Sequence, residues 1–109
     1  MLQTAPAAIA AALPDRPGEG VSNAYDDGRA AERMLIAASL LGLGAGIAWI
    51  RRDVRGAVRD ILGLPAEWLV RTVIAVSHPT DAARRPKSAA GEARLPRDEV
   101  IFEGRWPPG

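Results

Sequence analysis

The sequence predicts an α+β fold, and three features carry that expectation. Residues 27–43 and 53–62 repeat apolar side chains at helical spacing. Residues 46–50 and 68–77 have the length and the β-branched content of buried strands. The segments between them are rich in Gly, Pro and Asp, the residues that turn a chain. With 109 residues and 48% hydrophobic content the chain fills one core but hardly two, so a single domain over residues 1–109 is expected. Aromatics are only 5%, so that core rests on Leu, Ile and Val, with three tryptophans as its large pieces.

The elements follow in order. Residues 5–13 are an Ala-rich apolar run between Pro6 and Pro14, and read as a strand or a short helix: alanine favours helix, while the proline brackets and the length suit a strand. "PDRPGEGVSNA", residues 14–24, is a loop of turn-formers. A helix follows over 27–43, with Asp26 or Asp27 accepting from the first-turn N–H groups, and apolar residues on nearly every side predict that it is buried. Gly42, Gly44 and Gly46 then stop it near Leu43, because each glycine inside a helix costs about 1 kcal/mol relative to alanine. Gly44 is the position expected to take a positive φ.

"GIAWI", residues 46–50, is a strand. The helix over 53–62 has Asp53 as its cap and one apolar face of Val54, Ala57, Val58, Ile61 and Leu62, with Arg55 and Arg59 pointing away. Gly63, Leu64 and Pro65 end it. The run from Val70 to Val76 makes 68–77 a buried strand closed by Pro79. Residues 80–97 are a basic, Pro-punctuated connection, and 98–106 a short strand or extended arm.

Composition removes several classes of function. Fourteen basic residues against thirteen acidic ones give a net charge of +1, which is no electrostatic footprint for nucleic acid. Without cysteine there is neither a disulfide framework nor a thiolate site, and His78 alone makes no histidine metal centre. The apolar N-terminus has no Lys or Arg before it, as a secretory signal would, so a cytoplasmic protein is expected. Residues 34–50 are seventeen uncharged residues closed by two arginines. A membrane span needs about 20 apolar residues, and Gly-x-Gly-x-Gly differs from the four-residue spacing that packs helices in lipid. The expectation is therefore a globular core and no membrane partner, with a single span as the alternative.

Three blocks, in order, resemble the FMN-dependent nitroreductases, a group of NAD(P)H-using flavin oxidoreductases. "DDGRAAERMLIAASLLGLGAGIAWI" resembles their Asp-x-Gly-x-Ala start, apolar helix, Gly-Leu-Gly turn and Trp-Ile strand. "ILGLPAEWLVRTVIAVSHP" resembles the next block, in which Ser77 and His78 replace the usual Gly and Tyr. "ARLPRDEVIFEGRW" is similar to the C-terminal piece. Together they cover about residues 5–106. Members of the family are usually close to twice this length and begin with an Arg/Ser-rich segment that grips the FMN phosphate, whereas Arg16 is the only arginine among the first 28 residues here. The resemblance thus implies a nitroreductase-like (FMN-dependent) α/β sandwich truncated at its N-terminus, a C-terminal half.

The same resemblance implies FMN as cofactor, NAD(P)H as reductant, and a small-molecule nitro, quinone or flavin acceptor. In such enzymes the flavin does the redox chemistry, so no catalytic side chain is assigned. Gly44, Gly46, Ile47, Ala48 and Trp49 are the expected contacts to the cofactor, the glycines admitting close backbone approach. The alternative for the glycines is that they merely end a helix, and for Trp49 that it is core. Arg94 matches by position the arginine that contacts the FMN phosphate, a bidentate task for guanidinium; its alternative is a solvated loop charge. A homodimer is expected to cover the apolar helix. The competing function is a non-catalytic, truncated dimerisation module.

Overall fold

The computed structural model describes residues 2–109, which form two compact units, one reaching Pro79 and the other spanning Thr80–Gly109. In the first unit β1 (Ala7–Pro14), α1 (Gly20–Leu40), β2 (Gly44–Trp49), α2 (Arg55–Leu62) and β3 (Trp68–Ser77) follow one another. The three strands form one antiparallel sheet in the order β1-β3-β2. Residues 5–13 are thus resolved in favour of strand: Pro14 ends β1, and the alanines pair with the β-branched run of β3, from Ala7 opposite Val76 to Pro14 opposite Trp68.

β3 is central and carries most of the core. Leu69, Val70, Val73, Ile74 and Ala75 are buried, as is Thr72. Both its edges are paired, and α1 and α2 both pack against it, so a near-continuous β-branched run is the stable choice. The register on β1 shifts between Ala11, opposite Thr72, and Ala12, opposite Val70. Arg71 is the extra residue of this bulge, a feature that locally re-aims a side chain.

α1 begins at Gly20, seven residues before the expected start. Its buried residues are Asn23, Asp27, Ala31 and Ala38, one stripe at helical spacing. The turn-forming segment becomes helical because Asn23, the first residue of the stripe, is tied down: its Nδ2 donates to the carbonyl of Pro14 at 2.6 Å. Asp26 and Asp27 are therefore not caps, and the Ncap residue, Glu19, makes no side-chain cap bond. The expectation of a helix buried on most sides is also corrected. Small and polar residues face the sheet, while Ile36 and Leu40 are exposed, Leu40 at 83%.

The helix ends on Gly42, not Gly44. Gly42 has φ +74°, and its N–H donates to Ser39 O at 3.0 Å while that of Leu43 donates to Ala38 O at 2.8 Å. These are the two bonds of a Schellman motif, whose left-handed residue favours glycine. Gly44 has no positive φ and is the first residue of β2.

α2 departs from its expected orientation. A short 3-10 turn over Arg52–Val54 precedes it, and Asp53 accepts from Arg51 at 3.2 Å and does not cap the helix. Arg55 and Arg59 do not point away: Nε of Arg55 donates to Ile50 O at 3.3 Å, and Nε of Arg59 to Trp68 O at 2.7 Å. Val54 and Val58 are half-buried beside them, whereas Ala57, Ile61 and Leu62 are exposed, Ile61 at 82%. The carbonyl of Ile50, just past β2, and that of Trp68, the first residue of β3, need donors, and meeting them turns the apolar stripe partly outward. Gly63, at φ +67°, closes α2 in the expected place.

In the second unit, residues 80–97 hold one helical turn, α3 (Asp81–Arg84), with Thr80 Oγ1 accepting from the N–H of Ala83 at 3.1 Å. Residues 98–106 form no strand; a 3-10 turn spans Arg97–Glu99, and the rings of Phe102 and Trp106 meet edge to face at 5.1 Å. No helix among the described residues is long and apolar enough to cross a membrane.

Candidate functional site

Directly opposed residues of an antiparallel ladder share a face, and successive residues alternate. Trp49 lies opposite Thr72, and Ile47 opposite Ile74. Thr72 Oγ1 donates to Asp27 Oδ2 of α1 at 2.6 Å, which fixes these residues on the helix side of the sheet. Gly44, Gly46 and Ala48, opposite Ser77, Ala75 and Val73, belong to the other face. The five expected cofactor contacts of β2 are therefore split between the two faces. Trp49 is 70% exposed, so it is not the core tryptophan that its strand position allowed. β2 is an edge strand, and such a strand presents main-chain N–H and C=O groups on its unpaired side.

Between α1 and the sheet lies a cavity of about 110 Å³, lined by Asp27, Glu32, Ile47, Trp49, Arg71 and Thr72 together with small residues of α1. Ala24, Gly28 and Ala31 are what leave room there. Asp27 is 2% exposed; its Oδ2 holds Thr72, while its Oδ1 and the Nε of Arg71 are buried with no hydrogen-bond partner among the described residues. A buried acceptor or donor left unmet costs about 1–3 kcal/mol, so an acceptor and a donor on one small cavity suit a polar group that can both give and take a hydrogen bond. Asp27, Arg71 and Thr72 are absent from the sequence-based site. Asp27 reads as a helix cap, and nothing in a run of strand residues marks Arg71 as a bulge.

Gly44 has a reason of its own. A Cβ there would sit 3.2 Å from Ser77 Oγ and 3.4 Å from Pro79 Cβ, a tight fit that a larger residue could take only if these neighbours moved by a few tenths of an ångström. Arg94 is exposed and lies in the second unit, Thr80–Gly109.

With this geometry in view, the chain can be set beside known proteins. No protein-family model matches it, and no curated protein matches it. Solved structures do. A nitroreductase family protein from Clostridium difficile 630 superposes with a TM-score of 0.71 at 18% identity, over 96% of this chain and 63% of that one. A candidate NADH oxidase from Clostridium acetobutylicum superposes with a TM-score of 0.68 at 21% identity, over 94% of this chain and 61% of that one.

The fold is nitroreductase-like. At these identities the likeness concerns the fold, and the chain spans about three-fifths of the length of the two structures. On this sheet the β2 edge presents the exposed indole of Trp49 and the main-chain groups of its unpaired side. Among the cofactor contacts expected from sequence, Arg94 alone offers a charge to the phosphate of FMN.

Proposed function

We propose that the chain is an FMN-dependent NAD(P)H oxidoreductase of nitroreductase type, or the C-terminal portion of one. The observation that carries this reading is the nitroreductase-like fold, matched at TM-scores of 0.71 and 0.68, with Trp49 exposed on the open edge of β2. Bound FMN would supply the redox chemistry, accepting a hydride from NADH or NADPH and passing electrons to a nitro, quinone or flavin acceptor. The chain's own residues bind and orient. Trp49 and Ile47 offer apolar contact, and Gly44, Gly46 and Ala48 keep the backbone of the edge approachable.

A second copy of the chain is part of the proposal, covering Ile36, Leu40 and Leu41, which are exposed here. The competing reading is a dimerisation module without flavin. It is favoured by the chain's three-fifths span of the structures it matches. NADH- or NADPH-dependent reduction of a nitroaromatic, measured with excess FMN, separates the two. The enzyme reading predicts turnover above the background of free flavin and NAD(P)H; a rate equal to that background favours the module.

A further inference from the structure

A second and larger cavity, about 680 Å³, is lined by Asp15, Arg52, Arg55, Arg59, Leu69 and Arg71, with Gly20 and Gly56 completing its wall. Four guanidinium groups against one carboxylate leave a local charge of +3, in a chain whose net charge is +1. Like charges gathered in a concavity repel one another, and the fold answers only part of that repulsion. Nη2 of Arg59 lies 3.6 Å from Asp15 Oδ2. Arg55 and Arg59 each spend Nε on a backbone carbonyl, which anchors the side chain and leaves the terminal nitrogens of Arg55 for another acceptor. Arg52 makes no hydrogen bond or ion pair among the described residues.

Two further observations point the same way. Arg71, set out of register by the bulge, lines this cavity as well as the smaller one. Gly20 is the first residue of the 21-residue helix α1; the Ncap residue, Glu19, makes no side-chain cap bond and lies 3.7 Å from Arg16, so the first-turn N–H groups open on the same wall.

We infer that this cavity binds the phosphate or pyrophosphate group of an organic ester. Guanidinium forks match phosphoryl oxygens in pairs, and four of them with a helix N-terminus suit a multiply charged anion. The volume lies within the 300–1,000 Å³ range of small-molecule sites and is far more than a bare phosphate fills, which is why the group is assigned to an ester. None of these residues is assigned to flavin above, so the inference stands apart from the flavin reading.

Calorimetric titration of the whole chain with inorganic pyrophosphate and with ADP tests it. Arg52→Ala is the informative variant because Arg52 is exposed and holds no other part of the fold; Arg33→Ala, on the exposed side of α1, is the control. The expected result is saturable binding of both probes, weakened at least tenfold by Arg52→Ala and by raising the salt from 50 to 500 mM, unchanged by Arg33→Ala, and tighter for ADP. Absence of saturable pyrophosphate binding at millimolar concentration, or equal weakening by the two variants, overturns the site. ADP binding no tighter than inorganic pyrophosphate overturns the ester.

Discussion

The hydrogen bond from Thr72 to Asp27 joins the middle of β3 to the middle of α1, and both partners are buried at 2% exposure. Replacing Thr72 by Val keeps the shape and removes the donor, leaving both oxygens of a buried carboxylate without a protein partner. The expected cost is about 1–3 kcal/mol, read as a lower urea midpoint with an unchanged slope, and Thr72→Ser is expected to recover most of it. Gly42 is the other decisive single position. Gly42→Ala forces a Cβ into the left-handed region and is expected to cost roughly 1–2 kcal/mol by the same measurement. At this scale the sequence was half legible. Three alternating glycines announce the end of a helix, but which of them turns is decided by where α1 runs out, at Leu40. Asp27 reads as a cap because a carboxylate near a glycine and before an apolar run usually is one; its partner lies 45 positions away.

Among the elements, β3 was the most legible and α1 the least. A β-branched run marks a central strand from its own residues. The first seven residues of α1 carry no cap and, Ala24 apart, only weak helix formers, and they are held by a contact to β1 that no local pattern contains. α2 shows a different failure. Its apolar periodicity is real, yet Arg55 and Arg59 take the inner positions because carbonyls of Ile50 and Trp68 need donors. Arg59→Ala is therefore expected to destabilise the chain by about 1 kcal/mol in chemical unfolding, although a surface arginine would ordinarily be silent. Ile61→Lys is expected to change stability by less than about 0.5 kcal/mol, because Ile61 is exposed in the single chain.

At the scale of the molecule, Ile36, Leu40, Leu41, Trp49 and Ile61 are all exposed, large apolar side chains that a second copy of the chain could cover. The chain is expected to self-associate at micromolar concentration, and light scattering that shows a well-folded monomer there would refute this. The nitroreductase-like fold was legible in the order of three sequence blocks, each of which is weak alone. The division at Pro79 was not, since residues 80–109 share the composition of an ordinary connection. A flavin site confined to this chain would be partial. One charge-assisted pair between a guanidinium and a phosphate contributes about 1.5–3 kcal/mol, against the roughly 8 kcal/mol that micromolar affinity requires. Titration of FMN against the chain, followed by fluorescence quenching in wild type and Arg94→Ala, tests this most directly. Saturable binding weaker than micromolar, reduced about tenfold or more in the variant, is the result predicted. Submicromolar binding, affinity unchanged by Arg94→Ala, or no binding at millimolar FMN would contradict it.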